Sequence, residues 1–112
     1  MAEGDAVHQL SVDELLIYPT EVLSALAEPH RQTVLRLLEK RQLSQSDLVR
    51  ELGISQPLVS HHLKVLRAAD LVELVTHERR RVYRLRAHNL AAVGRQLTAM
   101  AERAHAAPEL HA

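Results

Sequence analysis

Hydrophobic residues recur at intervals of three and four along the first forty residues of the chain. This spacing places them on one face of a helix and predicts three helices, over about residues 12–18, from Glu21 to Ala27, and from Pro29 onward. The helix that begins at Pro29 carries its apolar stripe at Val34, Leu35, Leu37 and Leu38. The first part of the chain is therefore expected to be helical.

Two short helices with clear start signals follow. Ser44 and Asp47 fit a capping box, as do Ser11 and Glu14 ahead of the first helix. Ser55 is expected to cap a further helix, and Gly53 to end the one before it. The pattern predicts helices over 45–52 and 56–69, and two helices joined by so short a turn are typical of a helix-turn-helix.

The segment after these helices alternates between apolar and polar residues. "LVELVT" (71–76) and "RVYRL" (81–85) predict a hairpin around His77, Glu78, Arg79 and Arg80. A basic hairpin after a helix-turn-helix is a wing. The fold class predicted is mainly α with a small β-hairpin wing, in one winged-helix DNA-binding domain over residues 1–112, with an acidic N-terminal arm (1–10) and a C-terminal tail (106–112).

The last predicted helix, from about Asn89 to His105, has a narrow apolar seam that is better suited to a partner helix than to a broad core. We expect a homodimer that forms through the first and last helices. The alternative is that the seam packs against the body of its own chain. The residues assigned to the dimer interface are Leu15, Leu16, Leu90, Val93, Leu97, Met100 and Ala104.

Charge is separated along the chain although the net charge is zero. Residues 1–30 carry six acidic residues and no Lys or Arg, whereas residues 31–86 carry twelve basic and six acidic residues. A basic middle segment suits a polyanion such as nucleic acid, although an ordinary solvated surface has the same composition.

Composition also excludes several classes of function. The chain has no cysteine, which removes disulfides, thiolate ligands and a cysteine nucleophile. No apolar run is long enough for a membrane span, and the acidic N-terminus lacks the features of a signal peptide, so we expect a cytoplasmic protein without a membrane partner. No paired carboxylates or glycine-rich phosphate loop are recognisable, and the chain is not expected to be an enzyme.

The histidines of "SHHL" (60–63) fall on different sides of the predicted helix, because neighbouring helical residues point about 100° apart. His61 ends the polar arc, whereas His62 lies among apolar residues and is interpreted as a buried, hydrogen-bonded histidine. The polar arc offers hydroxyl, amide and imidazole groups for base edges and cations for phosphates, although a solvated helix face looks similar. The residues predicted to contact DNA are Ser44, Gln45, Ser55, Gln56, Ser60, His61, Lys64, Arg67, Arg79, Arg80 and Arg81.

Three blocks of the chain resemble the ArsR/SmtB family of winged-helix repressors. They are "LSALAEPHRQTVLRLL" (23–38), "LSQSDLVRELGISQPLVSHHLKVLRAADLV" (43–72) and "RRRVYRL" (79–85), in the order and spacing of the family. The resemblance implies a homodimer that binds operator DNA and leaves it when an effector, often a metal, binds. A dimer with one DNA-reading helix per chain is expected to read an inverted repeat. It places Gln56, Ser60 and His61 in the major groove.

Two metal sites of that family are absent here. Ser44 and Ser46 stand where the family's cysteine pair would lie, and serine is a poor ligand for soft ions. The positions of the usual zinc site in the last helix, aligned from Tyr83, hold Ala87, Asn89, Met100 and Arg103.

Histidines near the chain ends remain as candidate ligands. Glu102 and His111 look similar to a nickel- and cobalt-sensing subgroup of the family, and imidazole with carboxylate suits Ni²⁺, Co²⁺ or Zn²⁺. No cofactor is certain on this ground, because scattered histidines are also ordinary surface residues. The candidate metal ligands are His8, His88, Glu102, His105 and His111.

The function expected is a dimeric, sequence-specific transcriptional regulator, a repressor modulated by an effector. The alternative is a metal-independent regulator or a protein-interaction module, controlled by an organic ligand or by a second regulatory protein that the acidic arm recruits.

Overall fold

The structure, a computed structural model, describes residues 20–109 of the chain. These residues fall into two compact units, a first that ends at Ala87 and a second that begins at His88. The elements in chain order are α1 (Thr20–Leu26), α2 (Pro29–Lys40), α3 (Gln45–Leu52), α4 (Gln56–Ala68), β1 (Val72–His77), β2 (Arg80–Leu85) and α5 (Ala87–Ala106). The predicted fold class, mainly helical with one hairpin, is confirmed. The predicted helix over 12–18 lies outside the described residues, together with Leu15, Leu16 and the Ser11–Glu14 capping box.

The starts of three helices are set by side chains that accept backbone hydrogen bonds. Ser44 and Asp47 form the predicted capping box, since the Asp47 N–H donates to Ser44 Oγ at 3.1 Å and the Ser44 N–H donates to Asp47 Oδ2 at 3.0 Å. Ser55 caps α4 by accepting from the Leu58 N–H at 3.3 Å. Glu28 caps α2 in the same way, by accepting from the Arg31 N–H at 2.9 Å, a contact that the sequence analysis did not identify.

Gly53 lets α3 end and α4 begin a few residues later, because its φ of 66° is a left-handed conformation that glycine adopts at little cost.

The core of the first unit comes from one face of each helix and from the inner side of the hairpin. The fully buried side chains with the largest volumes are Leu43, Leu48, Leu63, Leu66, Leu71, Val34, Val59 and Val72.

The hairpin is tighter than the sequence pattern predicted. His77 pairs with Arg80, so only Glu78 and Arg79 form the turn, instead of the four residues expected. Both have positive φ, 49° and 68°, as the two-residue type I′ turn requires. That turn matches the right-handed twist of the strands, which explains why it forms here without glycine or asparagine.

A third segment joins the sheet beside β2. The Leu43 N–H donates to the Tyr83 carbonyl at 3.2 Å, and the Tyr83 N–H donates to the Leu43 carbonyl at 2.7 Å. Leu43 lies just before the cap of α3, so this isolated bridge attaches the hairpin to the start of the helix-turn-helix.

The second unit contributes helix α5. Along the predicted seam, Val93 is 7% exposed in the single chain, whereas Leu97 and Met100 are 40% and 42% exposed, and Ala104 is also exposed. The C-terminal half of the seam therefore presents apolar side chains at the surface. None of the helices in the described part of the chain is both long and apolar enough to cross a bilayer.

The turn geometry predicts that Arg79→Gly raises stability. A side chain in the left-handed region costs about 1–2 kcal/mol, which glycine avoids, so we expect a net gain of about 1 kcal/mol in the free energy of unfolding by urea. Arg81→Gly, in the neighbouring strand, is the control and is expected to lose roughly 0.5–1 kcal/mol. A loss of stability in both variants would contradict the type I′ turn.

Candidate nucleic-acid interface

Helix α4 divides its side chains between the core and the surface. Val59, His62, Leu63 and Leu66 are buried. The exposed residues are Gln56, Pro57, Leu58, Ser60, His61, Lys64, Arg67 and Ala68. His61 and His62 therefore separate as the helical wheel predicts. The wheel is wrong about Leu58, which is 39% exposed, because this residue lies at the edge of the apolar arc and in the first turn of the helix.

His62 ties α4 to the helices before it through Arg31. Arg31 donates from Nε to the Ala25 carbonyl at 2.9 Å and from NH2 to the Ser24 carbonyl at 3.0 Å, while NH1 lies 3.2 Å from His62 Nδ1. Burial lowers the pKa of His62, Glu28 opposes this effect, and Arg31 adds to it. The imidazole is accordingly neutral near pH 7 and accepts at Nδ1 from Arg31.

One cleft on the surface of this unit lies between α4 and β2. It encloses about 550 Å³ and is lined by Ser60, Leu63, Lys64, Arg67, Ala68 and Tyr83. Two cations and a hydroxyl thus line one concave surface. Such a surface offers donors and positive charge to an anionic ligand.

A second cleft, of about 210 Å³, adjoins the first through two shared residues, Arg67 and Tyr83. It adds Gln45 from α3 and Leu74 and Arg81 from the hairpin. The structure therefore brings residues that are far apart in sequence together around Arg67.

A third cleft, of about 260 Å³, lies between α3 and the start of α4. Its lining residues are Gln45, Ser46, Val49, Arg50 and Gln56. Gln45 belongs to both this cleft and the second one, so the three clefts form a continuous series across the helix-turn-helix and the hairpin. We call this series the basic groove. Tyr83 and Arg50 line the basic groove but were missed by the sequence analysis. Tyr83 was assigned only to a strand, and Arg50 lies outside α4, the helix whose polar face is predicted to contact DNA and which we call the recognition helix.

Three residues predicted to contact DNA have contacts within the protein. The hydroxyls of Ser44 and Ser55 cap helices, as described above. Arg80 donates from NH2 to Asp47 Oδ2 at 3.0 Å, and Arg50 pairs with the other oxygen of the same carboxylate. Hydrogen bonds from the Ser44 N–H and hydroxyl, and then the Arg80 guanidinium, outweigh burial and lower the pKa of Asp47 to about 2. Arg80 thereby fastens the hairpin to α3.

The described members of the predicted metal set do not lie together in one chain. His88, Glu102 and His105 are all exposed on α5. His88 and Glu102 are fourteen positions apart, which corresponds to about 21 Å along a helix. His8 and His111 lie outside the described residues. A site that used both His88 and Glu102 would need ligands from more than one chain, and the whole set stays a prediction.

Comparison with known proteins agrees with this arrangement. The family model "Bacterial regulatory protein, arsR family" matches residues 28–73, which contain the helix-turn-helix. The chain is 42% identical over 78 residues to the HTH-type transcriptional repressor SmtB of Mycobacterium tuberculosis, covering 70% of this chain and 58% of the relative. It is 40% identical over 75 residues to the HTH-type transcriptional regulator Rv2034 of the same organism, covering 67% of this chain and 70% of the relative.

Solved structures give the same result. An ArsR-like transcriptional regulator from Rhodococcus sp. RHA1 superimposes with a TM-score of 0.74 at 28% identity, covering 84% of this chain and 85% of that one. A homodimeric winged helix-turn-helix domain from Mycobacterium bovis superimposes with a TM-score of 0.63 at 23% identity, covering 93% of this chain and 98% of the other, and shows the fold.

The chain belongs to the ArsR family of bacterial regulatory proteins, and its fold is the winged helix-turn-helix. The named relatives are transcriptional regulators and none is an enzyme, in agreement with the sequence analysis. The chain spans 58% of the length of the SmtB repressor that it matches.

The cap at Asp47 predicts a specific dependence of stability on pH. Because the folded pKa is lower than the ordinary value of 3.8, the ionised carboxylate stabilises the fold above pH 3.8, and this stabilisation is lost as the pH falls toward 2. Asp47→Asn should therefore cost about 1–2 kcal/mol in the free energy of unfolding at pH 7, with a smaller cost at pH 3.

Urea denaturation of both proteins at several pH values measures this difference. Glu39→Gln, which changes an exposed carboxylate on α2, is the control and should remain close to wild type. A cost at Asp47 that is the same at pH 7 and pH 3 would contradict the role given to its charge.

Proposed function

We propose that this chain is a sequence-specific DNA-binding repressor that acts as a homodimer and binds duplex DNA through the basic groove. The observation that supports this most directly is the convergence of Lys64, Arg67 and Arg81 from two different elements onto adjoining clefts. The concave side of the groove carries no acidic side chain among its lining residues in the described part of the chain. A duplex supplies regularly spaced phosphates for such a surface.

The exposed residues on α4 divide into two roles. Gln56, Ser60 and His61 lie on the outward face of the helix and are suited to hydrogen bonding with base edges in the major groove. Lys64 and Arg67 follow on the same face and would contact phosphates, together with Arg81. Arg79, at the tip of the turn, can reach the backbone or the adjacent minor groove.

A homodimer would place two recognition helices on one face of the DNA. The relative from Mycobacterium bovis is homodimeric. In the present chain the exposed Leu97 and Met100 offer an apolar surface for a second copy. The operator expected is an inverted repeat whose half-sites lie about one helical turn, roughly 34 Å, apart.

We propose that an effector modulates the binding of operator DNA. The terminal histidines His8, His88, His105 and His111, with Glu102, remain the candidates for Ni²⁺, Co²⁺ or Zn²⁺ that the sequence suggests. An organic ligand or a second regulatory protein is the alternative. No described residue favours the protein-interaction alternative over DNA binding.

The division between base and phosphate contacts is testable. A duplex selected from a random pool serves as the specific site, and a scrambled duplex of the same composition as the reference. Gln56→Ala or His61→Ala should weaken binding to the selected duplex by about 1–3 kcal/mol, with little effect on the scrambled one. Fluorescence anisotropy measures both affinities.

Arg67→Ala and Arg81→Ala should weaken binding to both duplexes and should each lower the slope of log affinity against log salt by about 0.9. Arg36→Ala, an exposed cation on α2 that lines none of the clefts, is the matched control and should change neither quantity. Equal losses on both duplexes in the Gln56 and His61 variants would contradict direct reading of bases. Absence of salt-dependent binding to any duplex would favour the protein-interaction alternative.

A further inference from the structure

We propose that Glu28, His30 and His62 form a binding site for a divalent transition-metal ion such as Zn²⁺, Ni²⁺ or Co²⁺. One possible ligand atom from each of the three side chains lies within 4.8 Å of the others. These ions bind imidazole nitrogen and carboxylate oxygen at about 2.0–2.2 Å, so ligand atoms around a bound ion lie about 3–3.5 Å apart. Small side-chain rotations would close the remaining distance. This site involves none of the terminal residues considered above.

The geometry of the three side chains follows from their positions in the fold. Glu28 is the N-cap of α2 and His30 lies in the first turn of that helix, where His30 Nδ1 is 3.3 Å from Glu28 Oε1. His62 reaches the same point from α4, with Nδ1 at 3.7 Å from Glu28 Oε2. The carboxylate is thus close to both imidazoles, whose ring centroids are 5.5 Å apart. Two helices fix the ligands, and the cap holds the carboxylate in place before any ion arrives.

The burial of the ligands differs in a way that suits an ion site with access to solvent. The side chain of His62 is 5% exposed, whereas those of Glu28 and His30 are 28% and 42% exposed. An ion can therefore enter from the side of His30 and reach a nitrogen that water does not cover. An imidazole that the fold already holds in place needs less ordering when an ion binds than one that must first be positioned.

A second observation concerns the other nitrogen of His62. Its Nε2 is buried and has no hydrogen-bond partner in the protein. A histidine with a purely structural role in a core normally satisfies both ring nitrogens, since an unpaired buried donor costs about 1–3 kcal/mol. In His62, by contrast, Nδ1 has a partner in Arg31 and Nε2 has none.

Arg31 offers the strongest test of the metal site, because its guanidinium lies where it would compete with a bound metal ion for His62. NH1 lies 3.2 Å from the same His62 Nδ1 that an ion would bind. An ion must displace this contact, whereas the hydrogen bonds from Arg31 to the Ala25 and Ser24 carbonyls can remain. Removing the guanidinium should therefore strengthen metal binding, an effect that scattered surface histidines would not produce.

Displacement of Arg31 also gives the site a regulatory consequence, and this step rests on the proposed function. The Arg31–His62 contact connects the recognition helix to the end of α1. An ion at His62 would replace that connection with one to Glu28 and His30 and would change the position of α4. Metal binding and DNA binding should then alter one another by the same factor.

Titration of the purified full chain with Co²⁺, followed by visible absorption, and with Ni²⁺ and Zn²⁺ by calorimetry, tests the site itself. We expect one ion per chain whose binding depends on His30, besides any ion that the terminal histidines bind. His30→Asn and Glu28→Gln should each weaken binding by about tenfold or more, since loss of a ligand costs at least as much as the roughly 10–100-fold that is lost with a hydrogen-bond partner of a ligand. Arg31→Met should strengthen it. Circular dichroism checks that each variant is folded, and the exposed His30 makes the His30→Asn variant the safest of the three.

Two controls separate this site from other histidines. His77→Asn removes an exposed histidine whose Nε2 lies 3.8 Å from Glu78 Oε1, a similar His–Glu pair without a third ligand, and should bind metal like wild type. A combined variant of His88, His105 and His111 to Asn should also keep the ion. Absence of saturable binding would overturn the proposal, as would binding that survives His30→Asn but is lost in the combined terminal variant.

Repeating the titration with the selected duplex present tests the regulatory step separately. A change in metal affinity in the wild-type chain that disappears in His30→Asn would support it. Equal metal affinity with and without a duplex that binds would overturn the regulatory step and leave the metal site in place. If the chain bound no duplex at all, the proposed function would fail, whereas the metal titration without DNA would still decide the site.

Discussion

The pair of backbone hydrogen bonds between Leu43 and Tyr83 determines how the DNA-binding elements are arranged. Leu43 immediately precedes the cap of α3, and Tyr83 lies in the middle of β2, so this bridge fixes the hairpin against the start of the helix-turn-helix. Tyr83 also lines the two clefts that contain Arg67. The base of the hairpin is attached to α4 separately, since the Leu71 N–H donates to the Leu66 carbonyl at 3.0 Å, and the bridge adds a second backbone attachment on the side of α3. The ion pair between Asp47 and Arg80 reinforces the same junction from the side chains, although an exposed arginine contributes only modestly to stability.

A second constraint acts on the opposite side of the recognition helix. Helix α4 is held by apolar packing at Val59, Leu63 and Leu66, which has no directional preference. The contact between Arg31 and His62 adds direction, because a hydrogen bond to an imidazole requires a particular ring position. The helix that is proposed to bind DNA is thus positioned by a polar group whose other ring nitrogen is unpaired. The proposed point of control is therefore on the buried side of α4, and the proposed binding surface is on its exposed side.

Much of the first unit could be predicted from local chemistry. Capping residues such as Ser44 and Ser55, the glycine at position 53 and the apolar spacing each depend on a few neighbouring residues, and the corresponding helices occur within one residue of their predicted ends. The assignment of His61 to the surface and His62 to the core required only the period of a helix. The type I′ turn was missed because Glu78 and Arg79 are not the residues that usually signal it. Tyr83 and Arg50 were missed because their place in the basic groove depends on contacts between distant segments. The same limit explains Glu28, His30 and His62, which α2 and α4 bring together across more than thirty positions of sequence.

The central claim is that duplex DNA binds along the basic groove, and NMR of the uniformly ¹⁵N-labelled chain during titration with the selected duplex tests it most directly. The account predicts that the largest changes in amide chemical shift fall on Gln45, Gln56, Ser60, Lys64 and Arg81, with small changes at the exposed residues of α2. Changes centred on α2, with none along the first turns of α4 and the hairpin, would contradict it.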